Sequence, residues 1–306
     1  MKALLVALLA ALAFTAHADI ARTLAVTIDD LPVVRGQDLA RAQAITHGLL
    51  TKLQAAKAPA IGFVNEQKLG EPEPDPARVA LLKAWLDAGM DLGNHGYSHK
   101  SFYKTPLAEF QQELLKGERV LKELLAAQGR KPAFFRHPYL NTGPDADTRA
   151  QFEAFLAEHG YRVAPVTFDN DEWIYALAYD KALVAGDKVK AEKVAEDYLR
   201  YMAENTAFFE ALSVKLLGRE PAQILLLHAN ALNADYLAPL LALYRDRGYG
   251  FVSLEQALAD PAYRQQDHFI SPWGISWLER WWHDRHGKRL RTPDAAPWVA
   301  ELAGIN

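Results

Sequence analysis

Thr23-Leu24-Ala25-Val26-Thr27-Ile28-Asp29-Asp30-Leu31-Pro32 is the stretch on which the fold turns. An apolar, β-branched run ends abruptly on two adjacent carboxylates. Such a run reads as a buried parallel strand, apolar on both faces and bounded by turn residues. Pro32 cannot continue a ladder, so the strand is expected to stop about where the aspartates begin. The two acids then stand at a strand's carboxyl end, where α/β folds build their sites. Standing alone, the pair reads more readily as an Asp-rich turn than as a site. What decides between the two readings is whether the chain supplies partners.

Working outward, apolar residues recur at helical spacing from Asp38 to Lys57, and Ala60–Asn65 is a short strand. The Pro-rich link from Glu71 to Pro76 reads as a surface loop. A helix from Arg78 to Ala88 ends at Gly89, and Met90–Asn94 is a strand leading into His95-Gly96-Tyr97-Ser98-His99. Thr105 as N-cap and Pro106 open one long amphipathic helix to about Gln128. Strands follow at Pro132–Arg136 and Tyr161–Phe168, separated by a helix from Asp145 to His159. The stretch from Ile174 to Arg219 reads as an inserted helical pair, and Gln223–His228 is the most apolar strand. A helix from Asp235 to Arg247 and the strand Gly250–Leu254 complete the pattern. About seven strands alternating with helices mean a parallel sheet. No glycine-rich phosphate loop follows the first strand, so a barrel is preferred to a dinucleotide-binding fold.

Met1–Ala18 has one lysine, an apolar core and Ala16-His17-Ala18 before Asp19, the pattern of a leader cut after Ala18. The expected chain is therefore secreted or periplasmic, with no membrane span once the leader is removed. There is no cysteine, which excludes disulfides, thiolate metal sites and a Cys nucleophile. A metal would have to be held by His and carboxylate. The formal net charge of −4 and the absence of a Lys/Arg block argue against nucleic acid as a partner.

Chemistry collects at the strand ends. Asp29 and Asp30 end the first strand, and His95 and His99 follow the third. Arg136 ends the fourth, Asp169 the fifth and His228 the sixth. In a parallel barrel these ends share one rim. His95 and His99 have the i, i+4 spacing that sets two imidazoles on one side of a helical turn. With one carboxylate they form a ligand set used by hydrolytic zinc sites. A second carboxylate beside them can serve as base to an attacking water. Spacing does not say which aspartate takes which task. Arg136 would keep the base ionised, and His228 could protonate a leaving group.

The motifs Thr27-Ile28-Asp29-Asp30, His95-Gly96-Tyr97-Ser98-His99, Arg136-His137-Pro138-Tyr139, Asp169-Asn170-Asp171-Glu172-Trp173 and Leu226-Leu227-His228 together resemble those of the polysaccharide deacetylase (NodB-like) family. They occur in that family's order, over roughly Thr23 to Asp260. The resemblance implies a distorted parallel (β/α) barrel and a divalent-metal hydrolase acting on acetyl groups. It implies that Asp30, His95 and His99 hold the metal, usually Zn2+, and that Asp29 is the general base. Arg136 would orient Asp29, the Tyr139 backbone N–H would help bind the oxyanion, and His228 would be the general acid. Asp169, or a carboxylate near Trp173, would tune His228. The chain departs from the pattern in three places. Glu172 stands directly before Trp173 where many members have Asp, His137 fills a variable position, and Gly96 replaces a common Ser or Thr.

The expectation is an exported metal-dependent deacetylase whose partner is an acetylated polysaccharide or oligosaccharide, with N-acetyl favoured. The alternatives are a hydrolase of a small non-sugar amide or imide and an inactive carbohydrate-binding module. The expected organisation is a leader (1–18), a barrel (19–260, with an insertion at about 174–219) and a C-terminal extension (261–306). That extension carries Tyr263, Phe269, Trp273, Trp277, Trp281, Trp282 and Trp298. Those aromatics read either as a sugar platform or as large side chains closing the barrel, and the second reading is favoured.

Overall fold

The computed structural model describes residues 22–34, 36 and 38–305 of the chain, so the candidate leader lies outside the described residues. In chain order the elements are β1 (Arg22–Leu31), α1 (Leu39–Ala55), β2 (Ala60–Val64), α2 (Pro76–Asp87) and β3 (Asp91–Asn94). Then come α3 (Leu107–Lys116), α4 (Arg119–Ala126), β4 (Phe134–Phe135), α5 (Ala146–Glu158) and β5 (Arg162–Val163). The helical pair α6 (Glu172–Val184) and α7 (Lys188–Leu217) precedes β6 (Gln223–His228), α8 (Ala231–Asp246), β7 (Tyr249–Phe251) and α9 (Leu254–Leu258). Two helices of the C-terminal segment follow, α10 (Trp277–His286) and α11 (Pro297–Ala303).

All the pairings are parallel, in the order β5-β4-β3-β2-β1-β6, with β7 also against β1. Leu24 pairs with both Gln223 and Phe251, so β7 lies on the edge that β2 takes up from Val26 onward. After β5 the chain bends at Pro165 and bridges to β6 through Phe168 and Leu225. Thr167 and Phe168 both donate to the Ile224 carbonyl there. The ring is thus closed by a single bridge, which makes the architecture a distorted (β/α) barrel.

Alternation along β1 assigns its side chains. Leu24, Val26 and Ile28 are fully buried beneath the outer helices, each contributing about 1.5–3 kcal/mol. Ala25 belongs to a separate interior cluster with Ile61, Phe63, Phe134, Ala164 and Ile224. Thr27 and Asp29 share the parity of Ala25 and so point into the barrel. The interior is filled by small and large side chains together, Ala25 and Ala164 beside Phe63 and Phe134.

Of the expected elements that differ in detail, three bear on the site. β1 does not stop at the aspartates but runs through them to Leu31, with a register irregularity between Ile28 and Leu31. The strand expected over Tyr161–Phe168 shrinks to Arg162–Val163, because Pro165 has no N–H to donate and the chain turns there. The single helix expected from Thr105 to Gln128 is two, and Pro106 is its N-cap rather than its first residue.

The break at Gly117-Glu118 falls where only glycine fits. A Cβ on Gly117 would lie 2.7 Å from the Gly96 carbonyl carbon and 2.8 Å from the Tyr97 nitrogen. The helix junction therefore rests on the backbone between His95 and His99. Gly117→Ala is expected to lower stability by about 1–3 kcal/mol, read as a drop in melting temperature, because backbone rather than a side chain must move.

Candidate active site

The carboxyl ends of β1, β3, β4 and β6 meet at one cavity of about 640 Å³, into which Asp29, Asp30, His95, His99, Tyr139, Asp169 and His228 all project. Asp29 and Asp30 are neighbours on a strand, where side chains alternate. Both reach the cavity because Asp30 adopts φ 73°, a left-handed conformation that turns its side chain back toward the site. Asp29 is paired directly with His228 across β1 and β6.

His95 and His99 converge without a helical turn. They lie in a loop, with φ of 74° at Gly96 and 60° at His99. The loop is held from three sides. Asn65 Nδ2 donates to the carbonyls of His95 (2.7 Å) and Gly96 (3.2 Å). Asn94 Oδ1 accepts from the Gly96 N–H at 2.8 Å. Glu113 Oε2 accepts from the Ser98 N–H (2.7 Å) and hydroxyl (2.8 Å).

The Asp30, His95 and His99 donor atoms all lie within 4.8 Å of one another, which fits one divalent cation. The tautomer agrees with that use. His95 Nδ1 lies 2.7 Å from the Arg136 carbonyl, to which only a protonated Nδ1 can donate, leaving Nε2 as the bare donor atom. Burial, with His99 beside it, holds His95 well below the usual imidazole range and therefore neutral. Burial works against the charge on Asp30, but Lys68, His99 and His228 outweigh it and keep this carboxylate well below its usual range. Lys68 Nζ sits 2.6 Å from Asp30 Oδ1.

Asp29 has a different environment. Its carboxylate is 3% exposed and receives Arg136 Nη1 at 3.4 Å on each oxygen. Burial pushes its carboxyl up to about 6, against the pull of Arg136. Arg136 is fully buried and donates further to the Ala164 carbonyl (2.9 Å), Thr27 Oγ1 (3.1 Å) and the Pro165 carbonyl (3.4 Å). It thus satisfies carbonyls left without ladder partners where the barrel bends.

Across the cavity, His228 Nδ1 is 2.7 Å from Glu172 Oε2. Burial disfavours the imidazolium, but this hydrogen bond and the Glu172 charge, with Asp30 and Asp29 adding, lift it to about 9. Glu172 is fully buried, and its other oxygen accepts from Asn230 Nδ2 and from Asn233 Nδ2 (2.8 Å). The hydrogen-bond partner of His228 in the fourth motif is therefore Glu172 and not Asp169. Asp169 lines the same cavity, its carboxyl pushed by burial up to about 6.

Tyr139 is on a turn where it and Leu140 both have positive φ, 57° and 52°. Its ring packs edge-on against His99, with centroids 4.5 Å apart. The C-terminal segment covers the outside of this turn, a contact that nothing in the sequence signalled. A Cβ on Gly274 would lie 2.1 Å from the Tyr139 carbonyl oxygen, so only glycine fits there. Arg280, buried, donates to the Leu140 carbonyl, to Thr142 Oγ1 (3.2 Å) and to Asp267 Oδ2 (3.0 Å). Of the tail aromatics, Phe269, Trp277 and Trp281 are buried, the two tryptophans within the main core, whereas Trp273 is 66% exposed at the cavity.

With this geometry in hand, the likeness to known proteins can be placed. The model of the family described as polysaccharide deacetylase matches residues 17–164. Among solved structures 37 chains match. A polysaccharide deacetylase from Bacillus cereus is 20% identical, with 76% of this chain and 91% of that chain covered and a TM-score of 0.52. A mutant of a CE4 family pseudoenzyme with restored enzymatic activity is 18% identical, covering 77% and 67%, also with a TM-score of 0.52. The wild-type pseudoenzyme, from Bacillus anthracis, is 17% identical, covering 77% and 65%, with a TM-score of 0.50. No curated protein matches the chain. At these identities the structures share the fold, and the chemistry has to be argued from the residues.

Proposed function

We propose that the chain, whose residues 17–164 match the polysaccharide deacetylase family model, is an exported, metal-dependent hydrolase releasing acetate from an N-acetylated saccharide. The observation that carries this reading is the meeting of three units at one cavity: the Asp30/His95/His99 cluster, the Asp29–Arg136 pair and the His228–Glu172 pair. Pseudoenzymes share this fold, so the fold alone would not support activity. Export rests on the leader pattern of Met1–Ala18.

Asp30, His95 and His99 would hold the cation, Zn2+ being the first candidate for two imidazoles and a carboxylate. When bound, such an ion supplies a Lewis acid that lowers the pKa of water and polarises a carbonyl. The remaining steps belong to the chain. Asp29, fixed by Arg136 and with a carboxyl near 6, accepts a proton from the attacking water as its oxygen bonds to the acetyl carbon. The Tyr139 N–H donates to the oxyanion of the tetrahedral species, an interaction of a kind whose loss costs on the order of a hundredfold in rate. His228 is charged at neutral pH and has Nδ1 committed to Glu172, so its Nε2 proton passes to the nitrogen as the C–N bond breaks. Acetate and a free amine leave. An amide demands this proton more than an ester does, because an amine anion is a poor leaving group. This is why the well-supported acid at His228 favours N-acetyl.

The test is acetate release from chitooligosaccharide, peptidoglycan and acetylxylan, before and after removal of metal with a chelator. Release from an N-acetylated glycan that stops on chelation and returns with Zn2+ is the expected result. Glycan binding without acetate release would leave a sugar-binding module instead.

A further inference from the structure

We propose that Trp273 is the platform of a sugar-binding subsite beside the reacting acetyl group, stacking an uncharged pyranose ring of the substrate. The proposal rests on the deacetylase reading above and adds a binding residue from the C-terminal segment, outside the region that the family model matches.

Exposure supplies the first argument. The large apolar side chains exposed among the described residues are Tyr139, Trp173, Leu177, Val184, Val189, Val214, Trp273 and Ile305. Tyr139, Trp173, Leu177 and Trp273 all line the one catalytic cavity. Exposed aromatics gathered at a cavity mark a ligand surface, whereas scattered ones need no explanation. Trp273 is the most exposed of the four, and the bulk of its ring is left without protein cover.

Anchoring supplies the second argument, since an exposed ring on a loosely held segment would be a poor platform. The segment around Trp273 is tied down on both sides. Asn141 Nδ2 donates to the carbonyls of Ser271 (3.1 Å) and Pro272 (3.0 Å). Gly274 lies against the Tyr139 carbonyl. Ser276 Oγ donates to the Thr167 carbonyl at 2.7 Å, and the Trp277 N–H to the Val166 carbonyl at 2.7 Å. Because Gly274 touches the turn that carries the Tyr139 N–H, its neighbour Trp273 is held close to where the acetyl carbonyl would sit. A prepositioned ring loses little freedom on binding.

Charge and shape together select the ligand. Asp169 and Asp171 line the same cavity, beside Glu279, whose carboxyl burial pushes up to about 8, and Asp180, which is paired with Arg41. Carboxylates accept hydrogen bonds from hydroxyls and repel anionic ligands. Flat aromatic surface beside hydroxyl-accepting groups suits a neutral pyranose, which has apolar C–H faces and an equatorial belt of hydroxyls. A uronate ring would meet the carboxylates unfavourably.

The experiment is calorimetric binding of tetra-N-acetylchitotetraose to the full chain, wild type and variants, with acetate release measured alongside. Trp273→Ala is expected to weaken glycan binding about tenfold, by loss of aromatic contact area, and to leave the melting temperature unchanged. Trp273→Phe should recover most of the affinity, since a flat ring is restored. Tetragalacturonic acid should bind at least tenfold more weakly than chitotetraose. The proposal is overturned if wild type does not bind chitotetraose, or if Trp273→Ala binds it within twofold of wild type. Trp273-dependent binding in a chain that releases no acetate would overturn the deacetylase reading and leave the subsite standing.

Discussion

Asp29→Asn is expected to cut acetate release by about two to four orders of magnitude while the chain keeps its metal. Asparagine preserves the shape of the side chain and can still accept a hydrogen bond from Arg136, but it cannot take a proton from water. Asp30, His95 and His99, which would hold the cation, are untouched by the change. His99→Ala should instead lose metal and activity together. Metal content by elemental analysis, measured beside acetate release, separates the two, and equal metal loss in both variants would sink the division of labour between the aspartates. Asp29→Asn should also melt lower than wild type. Arg136 is fully buried, and the change leaves its charge without a carboxylate, a situation that costs about 3–5 kcal/mol when a buried pair is broken.

The second large effect is expected at Glu172, and it should depend on pH. Glu172 is the chief support of the raised His228 value of about 9. With glutamine in its place, His228 should fall back toward the ordinary imidazole value of about 6.5. The alkaline limb of the kcat profile should then move down from near 9. At pH 8 the variant would be roughly thirtyfold slower, and at pH 6 nearly normal, since the acid is charged in both chains there. Stability follows the same group. Its folded value lies above its unfolded one, so the imidazolium–carboxylate pair contributes fully below about pH 6.5, and that contribution is lost as pH rises through about 9. The melting difference between wild type and Glu172→Gln should therefore narrow from pH 6 to pH 9.5. An unchanged alkaline limb would remove Glu172 from this role.

The strand ends were the legible part of the site. A buried strand has a sharp composition, and polar residues directly after it stand out, which is how Asp29, His95, Arg136 and His228 were found together. The pairing of His95 with His99 was legible but its cause was not: the spacing suggested a helical turn, and positive φ at Gly96 and His99 does the work instead. Such backbone conformations leave no periodic trace in sequence. The long helix expected through Gly117 failed for a related reason. Its amphipathic pattern continues across the break, and the break lies where Gly117 packs against Gly96, some twenty residues earlier. Pro165 did carry a signal, and the apolar residues around it outweighed it in the reading. The braces of the site were not visible at all. Lys68 on Asp30, Asn65 under His95, and Gly274 and Arg280 on the Tyr139 turn act across long stretches of chain. Glu172 was legible only as one of two candidates, because loop geometry decides which acid meets His228.

The pairing of β1 with β2, β6 and β7 has a consequence for how the chain is made. Of these neighbours, β2 comes about thirty residues later, and β6 and β7 about two hundred residues later. At a synthesis rate of about 5–20 residues per second, Leu24, Val26 and Ile28 emerge roughly 10–40 s before the strands that cover their far edge exist. During that interval this apolar strand edge has no permanent partner, the kind of edge that pairs with other chains. Completion of the barrel is thus a late event dominated by distant contacts, and such folds form slowly. A chaperone that shields this one decapeptide would protect the nascent protein through most of its synthesis.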